Sequence, residues 1–453
     1  MVESLEIKET QAVARSNEES FLGIYFHGDR IGYVQNRFQV SDSGDILLDQ
    51  KAYLLLNILN ERKPVTLSGN AVLTSGYLLK QFSFRLAAPF YRMDVQGEVR
   101  DNVVFLTMNT GKQEISDNIQ LKSPPFLSTN RRSYLLTSSL EEGQKVRIPY
   151  FDPFTMSVQD SIVEYRGRKK TLVKGRVYNL HRFLESYGGI RVDSWLNDAG
   201  DVVKEVSPAG FVFISEPEFR ARDIGKTTKE VLSAVSAPLL GKLPDLSGRK
   251  SIRYKLTLPQ GVVFDLDKDR QALAGDVVTI QLETLADKED AMVCDDEDKN
   301  LASTPYIQAE DKRIKKLVST LKMDGMPPLE KVRTIAAWVY DNLEQIPVIG
   351  IPDAVTTLEN RRGDCNEHAS LFAALARSAQ IPTRIAAGVI LHEGAFYYHA
   401  WNEVCVGGDW VSLDTIFNQL PADLGHIKFV EGETKEQIKI SALLGKLQIE
   451  VVQ

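Results

Sequence analysis

The chain has 453 residues, of which 43% are hydrophobic and 25% are charged. This is an ordinary globular composition, and the length predicts about three domains. The net charge is −7, and no run rich in Lys and Arg is interleaved with aromatic residues, which argues against nucleic acid as a partner. Three cysteines, one of them assigned to chemistry below, are too few for a disulfide framework. No stretch reaches the roughly 18 apolar residues that a membrane-spanning helix needs.

The first residues of the chain, Met1 to Glu6, are polar and acidic, which is not the pattern of a signal peptide. We therefore expect a cytoplasmic protein, or one of the cell envelope or periplasm if the printed chain begins after an export signal or anchor. Residues 1–20 have the mixed, polar composition of a linker.

Residues 21–217 are predicted to form an antiparallel β domain. Apolar residues such as Phe82 and Phe84 alternate with polar ones, which is typical of half-buried strands. Turn sequences at 109–112 and 197–200 predict hairpins. The region is expected to form one long, strongly curved sheet or two similar halves.

Residues 195–202 resemble short hairpins of bacterial envelope domains that carry a lipoprotein-carrier-like half-barrel. By that resemblance, a lipid or another envelope component is a possible partner of the N-terminal β domain. The alternative is that the sheet packs on a helix or on the enzyme domain, because any sheet needs one covered face.

Residues 218–303 are predicted to be a small β-rich connecting domain. A short helical period covers 227–237, and strands are predicted over 251–258 and 277–282. The acidic run at 295–298 lacks the spaced oxygen ligands of a calcium site, so we interpret it as a solvated linker.

Residues 304–453 contain a predicted helix that begins at Cys365, after two helices that pack around it. Asp364 is well placed to cap it, and Glu367 completes the pattern of a capping box. The thiol would then lie among unpaired backbone N–H groups at the positive end of the helix, so we expect a lowered thiol pKa.

Two strands after this helix carry a histidine and an acid. His399 lies on the first strand, and the pair Gly407-Gly408 predicts a tight turn into the second. Asp414, at the end of the second strand, could then reach the imidazole of His399. A cysteine, a histidine and an aspartate in this order supply a thiol nucleophile, its base and the group that orients the base.

Residues 306–430 resemble the transglutaminase-like superfamily of papain-like thiol enzymes. The matching motifs are Gly363–Ala369, Gln380–Arg384, His399–Val404 and Trp410–Asp414. The resemblance implies an α+β fold for the chain: a C-terminal transglutaminase-like core preceded by the antiparallel, β-rich N-terminal region. It also implies that Cys365 is the nucleophile, His399 the general base and Asp414 the orienting acid, with no metal and no cofactor. Thr415 stands where many relatives carry Pro, which we interpret as a small change in the turn.

This site predicts acyl transfer through a thioester on a peptide or protein substrate. Bacterial members of the superfamily are more often hydrolase-like, so the resemblance favours a cysteine peptidase or amidase. A cross-linking transglutaminase and a non-catalytic peptide- or lipid-binding envelope module are the alternatives. The backbone N–H of Cys365 is an expected oxyanion donor. Trp401 and Trp410 could shape an acyl-binding tunnel, although aromatic residues in strands mostly belong to cores.

The other cysteines and two further histidines are given structural roles. Cys294 and Cys405 are expected to be small buried core residues. His368, on the Cys365 helix, is predicted to pack or hydrogen-bond rather than to act as a second base. His392 is predicted to face solvent in a hairpin.

Overall fold

A computed structural model of the chain describes residues 2–5, 17–121, 135–136, 138–152, 157–187, 190–207, 210–225, 230–231, 236–242, 244–285 and 294–452. The chain divides into two compact units, residues 1–231 and 232–453. Antiparallel strands dominate, and the longer described helices belong to the second unit. The predicted α+β class is confirmed. The helix predicted over 227–237 falls mainly outside the described residues.

The first unit is built on one fifteen-stranded sheet. Its strands are β1 (Glu3–Ser4), β2 (Glu18–Phe26), β3 (Asp29–Val40), β4 (Ile46–Ile58), β5 (Glu61–Leu73), β6 (Leu79–Ala88), β7 (Tyr91–Arg100), β8 (Val103–Asn109), β9 (Glu114–Gln120), β10 (Lys145–Asp152), β11 (Ser157–Val173), β12 (Arg176–Tyr187), β13 (Ile190–Leu196), β14 (Val202–Val206) and β15 (Phe211–Ser215). Helix α1 (Glu218–Ala221) follows. β2 to β9 form one antiparallel meander, β10 to β15 form a second, and β15 pairs with β2 to make them continuous.

Local sequence determines the hairpins of this sheet. At the turn between β13 and β14, the side chain of Asn197 accepts hydrogen bonds from the backbone N–H groups of Ala199 (3.0 Å) and Asp201 (2.8 Å). Gly200 takes a φ of 86° there, a conformation that costs glycine little. The hairpins predicted at 109–112 and 197–200 are both confirmed.

The second unit combines a nine-stranded sheet with the helices around the predicted thiol. Its strands are β16 (Ala237–Leu240), β17 (Ser251–Thr257), β18 (Gln271–Ala274), β19 (Val277–Gln281), β20 (Glu344–Gln345), β21 (Arg362–Gly363), β22 (Thr383–His392), β23 (Ala395–Val406), β24 (Asp409–Leu413), β25 (His426–Glu431) and β26 (Gln448–Val452). Its helices are α2 (Glu297–Leu301), α3 (Lys312–Thr320), α4 (Pro328–Asn342), α5 (Ala354–Asn360), α6 (Cys365–Ser378), α7 (Thr434–Gln437) and a 3₁₀ helix (Ile438–Ala442).

Strands far apart in sequence are neighbours in the larger sheet of this unit. The order is β18, β19, β17, β26, β16, β23, β22, β25, and β24 pairs with β23. β17 to β19, which the sequence predicts within a separate connecting domain, therefore belong to the same sheet as the strand that carries His399. β26 lies between β17 and β16 and joins the two parts.

Helix α6 is the centre of the core of the second unit. Its apolar side chains are fully buried: Ala369, Leu371, Phe372, Leu375 and Ala376. The helix packs on β22 and β23, and α3, α4 and α5 surround it. The side chain of Asn402 on β23 donates a 3.0 Å hydrogen bond to the carbonyl of Ala369. The predicted arrangement of a thiol helix facing a sheet is confirmed.

The expectation that Cys294 is a buried core residue is wrong: it is only half-buried and forms a disulfide with Cys405 across a sequence separation of 111. Their Cα atoms lie 6.0 Å apart, within the range that a disulfide spans. Cys405 is fully buried, as expected, but its partner comes from a distant segment that sequence spacing does not indicate. None of the described helices combines the length and the apolar composition of a membrane span.

Candidate active site

Cys365 is the first residue of α6, and the two residues of a complete capping box, Asp364 and Glu367, flank it. The carboxylate of Asp364 accepts a hydrogen bond from the backbone N–H of Asn366 (3.0 Å), and Glu367 Oε2 accepts one from the backbone N–H of Asp364 (3.0 Å). The box satisfies donors that a helix start leaves unpaired. It therefore fixes the direction in which the helix begins and the position of the half-buried thiol.

The expectation of a lowered thiol pKa is wrong. Burial raises the pKa of Cys365 well above its ordinary value, and the neighbouring carboxylates of Asp364 and Glu367 raise it further. A hydrogen bond from the backbone of Ala400 acts in the opposite direction. The capping box that starts the helix thus places negative charge beside the sulfur, which opposes the effect of the helix terminus. The thiol is neutral at rest, so a base must remove its proton when it reacts.

His399 and Asp414 are brought together as the hairpin sequence predicts. His399 on β23 and Asp414 just after β24 are both buried, and His399 Nε2 lies 2.6 Å from Asp414 Oδ2. Nδ1 is then the ring nitrogen left for proton exchange. The Ala400 backbone, which lowers the pKa of Cys365, belongs to the residue after His399 on β23.

Asp414 is held as an ionised acceptor. Its Oδ1 accepts a 2.7 Å hydrogen bond from the backbone N–H of Ile416. Burial alone would raise its pKa, but the charge and hydrogen bond of His399, together with those of His426, hold the pKa of Asp414 well below its usual range. An ionised Asp414 fixes the tautomer and the ring orientation of His399.

His426 lies in the segment 419–427, which resembles the one after the aspartate in bacterial relatives, but the sequence predicts no role for it; it is fully buried at the start of β25. Its Nε2 lies 3.0 Å from Asp414 Oδ2, and its Nδ1 lies 2.9 Å from Asp423 Oδ1. A sequence signal existed: a histidine three residues after an aspartate, at the head of an apolar strand. Its contact with Asp414 depends on a loop between β24 and β25 whose course the spacing does not indicate.

The two predicted tryptophans lie in different surroundings. Trp401 is buried, stacks on the ring of His399 (centroids 6.2 Å apart) and meets His426 edge to face (5.1 Å). Its indole Nε1 has no hydrogen-bond partner among the described residues. Trp410 is half-buried under the guanidinium of Arg384, 4.1 Å from the ring centroid. The structure brings Trp401, but not Trp410, into contact with a triad residue, and the substrate-binding role stays a prediction for both.

Two further titratable groups lie near the triad residues. His368 is buried on α6, as expected, and burial lowers its pKa to about 4, so it is neutral. Burial raises the pKa of the Tyr398 hydroxyl, which donates a 2.8 Å hydrogen bond to Gln437 Oε1. His392 is exposed, as predicted.

Two sets of side chains among the described residues have the spacing of metal ligands. One is His399, Asp414 and His426, and the other is Asp269, Glu403 and Glu431. In the first set both histidine nitrogens are directed at one carboxylate oxygen, which is a hydrogen-bonding arrangement. In the second set Lys428 Nζ already bonds Glu403 (2.8 Å) and Glu431 (2.8 Å).

Comparison with known proteins gives a family match and distant similarities to five solved chains, two of which follow. "A putative cysteine protease from Cytophaga hutchinsonii" is similar over 44% of this chain and 83% of that chain, with 19% identity and a TM-score of 0.30. A "beta-barrel-like protein" of a domain of unknown function from Brucella abortus is similar over 45% of this chain and 97% of that chain, with 9% identity and a TM-score of 0.36.

No curated protein sequence matches the chain. The sequence model of the transglutaminase-like superfamily matches residues 315–415. This range holds the predicted nucleophile, base and acid, and it agrees with the resemblance seen in the motifs. Residues 315–415 of the chain belong to the transglutaminase-like superfamily.

Proposed function

We propose that the protein is a thiol enzyme that transfers acyl groups from peptide or amide substrates through a Cys365 thioester, with water as the usual acceptor. The observation that carries the proposal is the 2.6 Å pairing of His399 Nε2 with Asp414 Oδ2, with His399 on the strand that packs against the helix begun by Cys365. The superfamily match supports a thiol enzyme in general. Hydrolysis and the identity of the substrate belong to the proposal alone.

The first half of the reaction forms the thioester. His399 Nδ1 takes the proton of the neutral Cys365 thiol as the sulfur attacks the amide carbonyl. Asp414 holds the Nε2–H and stabilises the imidazolium that forms. The backbone N–H of Cys365 is the proposed donor to the oxyanion. The imidazolium then gives its proton to the amine, which leaves as the C–N bond breaks.

The second half releases the acyl group. A water molecule enters the place of the amine, His399 takes one of its protons, and the oxygen attacks the thioester carbonyl. The C–S bond breaks, the proton returns to sulfur, and a carboxylic acid is released. An amine that takes the place of water would give a new amide, so both outcomes use the same residues.

The first test needs no substrate. We expect Cys365 of the wild-type chain to be alkylated faster near neutral pH than in the His399→Ala variant, because the variant lacks the base. Alkylation is followed by mass spectrometry of the peptide that contains Cys365. Equal and slow labelling in both chains would contradict the proposal and favour a binding module.

The second test uses an amide or peptide library, with and without an added primary amine. Cys365→Ala should abolish turnover while the thermal unfolding temperature stays within a few degrees of the wild type. An acid product indicates hydrolysis, and an amide of the added amine indicates transamidation. Full activity in Cys365→Ala would rule out the thiol mechanism.

A further inference from the structure

His426 lies outside the predicted triad but shares one of its carboxylate oxygens. Asp414 Oδ2 lies 2.6 Å from His399 Nε2 and 3.0 Å from His426 Nε2. On the other side of the ring, His426 Nδ1 lies 2.9 Å from Asp423 Oδ1. The four side chains form one hydrogen-bonded row in the order Asp423, His426, Asp414, His399.

The geometry determines the charge of His426. An ionised carboxylate only accepts hydrogen bonds, so each ring nitrogen that faces one must carry a hydrogen. His426 faces a carboxylate at both nitrogens and is fully buried, which makes it an imidazolium. Burial alone would lower its pKa, but the hydrogen bonds to Asp414 and Asp423 raise it. Despite burial, His426 also lowers the pKa of Asp423 to about 2.

The loop that carries Asp423 and His426 is fixed from outside the row. Arg270 donates hydrogen bonds to the carbonyls of Ala422 (2.6 Å) and Asp423 (2.6 Å), and a longer one to that of His426 (3.3 Å). Gln419 Nε2 donates to Asp423 Oδ2 (3.0 Å). The hydrogen bonds of Arg270 and Gln419 therefore hold in place the segment that surrounds the imidazolium.

The groups that face His426 come from several elements packed around it. Opposing charge comes from Asp414 after β24 and from Asp423 in the loop before β25. Like charge comes from His399 on β23 when it is protonated, with the ring centroids 5.7 Å apart, and from Arg270 at the backbone. On β17, the hydroxyl of Tyr254 donates to the carbonyl of Leu424 (3.1 Å).

We propose that His426 is a positioning residue of the thiol site: a buried cation that orients Asp414 and keeps it ionised while His399 carries the proton taken from Cys365. This role rests on the proposed thiol chemistry. Without the second N–H donor, the carboxylate of Asp414 could rotate or accept the proton of His399. His426 contacts no reacting atom, so it acts only through Asp414.

The positive charge of His426 also affects the protonation of His399 and Cys365, the two groups that exchange the proton. A positive charge near His399 disfavours the imidazolium, and it favours the thiolate of Cys365. The charge of His426 therefore favours the deprotonated form of both groups. Replacing His426 with a neutral side chain should therefore move both proton equilibria to higher pH.

Two neutral replacements separate charge from orientation. In His426→Gln the amide nitrogen takes the place of Nε2 and still donates to Asp414, whereas in His426→Asn it takes the place of Nδ1 and can donate only to Asp423. The full chain is alkylated with iodoacetamide over a range of pH with EDTA present, and the His399 pKa is followed by NMR. Both variants should move the alkylation midpoint and the His399 pKa upward, and His426→Asn should retain less of the wild-type rate.

The control is His181→Gln in the first unit, which removes another histidine paired with an aspartate (His181 Nε2 to Asp198 Oδ1, 3.1 Å). It should leave both pKa values unchanged. Wild-type values in His426→Gln would overturn the proposal, because a packing role alone moves neither. If instead the wild type and His399→Ala are alkylated alike, the thiol chemistry fails, while the ¹⁵N signals of His426 still report its charge.

Asp423→Asn is the substitute if neither His426 variant folds. It keeps the imidazole and removes one of the two carboxylates that hold its proton, so the pKa of His426 should fall. An unchanged His426 pKa in Asp423→Asn would overturn the proposal.

Discussion

The two units of the chain use charge and connectivity in opposite ways. In the first unit the hairpins follow one another along the sequence, and ion pairs such as those of Asp94 with Arg85 and Arg92 lie at the surface. In the second unit distant segments share one sheet, and Glu403, Arg384 and Lys428 form a buried charge cluster. Surface pairs stabilise by about 1 kcal/mol or less, whereas removing one partner of a buried pair costs several times more.

This difference indicates where precision is required. A chemical site needs groups held in one geometry, and the second unit obtains this from buried charges with several partners each. The meanders of the first unit are built mainly from alternating side chains and tight turns, and the pair of Arg30 with buried Glu216 (2.9 Å) is an exception. Substitutions of the same kind in the two units should therefore have very different effects.

The largest effect is expected for the disulfide, a long-range tie of the second unit. The double variant Cys294→Ala/Cys405→Ala should lower the free energy of unfolding of that unit by about 4 kcal/mol, because the bond closes a long loop in the unfolded chain. Urea unfolding followed by fluorescence measures it, since Trp338, Trp401 and Trp410 all lie in the second unit. The transition reported by Trp195 of the first unit should not move. A shift there would contradict the assignment of the effect of the disulfide to the second unit.

A smaller loss is expected for Glu403→Gln. The side chain of Glu403 is 3% exposed and bonds both Arg384 Nε (2.7 Å) and Lys428 Nζ (2.8 Å). Removing its charge leaves two buried cations with fewer partners, which we expect to cost about 3 kcal/mol. The matched control is Asp94→Asn, an isosteric change at an exposed pair, with an expected cost below about 1 kcal/mol. Equal costs in urea unfolding would remove the distinction between the units.

The smallest effect on stability, but a measurable one on reactivity, is expected for Asp364→Asn. Asparagine caps a helix about as well as aspartate, so the free energy of unfolding should change by less than about 0.5 kcal/mol. The loss of the negative charge beside Cys365 should lower the thiol pKa, and the alkylation profile should move to lower pH. Asp311→Asn, at the N-cap of α3, is the control and should leave the profile in place. A shift to higher pH in Asp364→Asn would contradict the role given to the capping box.

Much of the fold could be predicted from the sequence where the interactions are local. The hairpin at 197–200, the capping box at Asp364 and the turn at Gly407-Gly408 depend on residues within a few positions of one another. The His399–Asp414 contact follows from that last turn, because it sets the register of the two strands. The family motifs added the assignment of Cys365.

Features that depend on tertiary packing were not predicted correctly. The partner of Cys405 lies 111 residues away, and no local pattern indicates that distance. The sequence predicts a lowered thiol pKa, whereas burial raises it. The helix terminus can be recognised in the sequence, but the burial of Cys365 cannot. The sequence predicts no role for His426, because the eleven residues between Asp414 and His426 have no periodic pattern that fixes their course.

The central position of β26 has a consequence for biosynthesis. Residues 448–452 pair with β17 on one side and β16 on the other, so the sheet cannot be continuous before they have left the ribosome. At bacterial or eukaryotic elongation rates, β26 is synthesised roughly ten to forty seconds after β17. The sheet of the thiol unit is therefore completed after translation of almost its whole sequence, while the hairpins of the first unit can pair as they emerge.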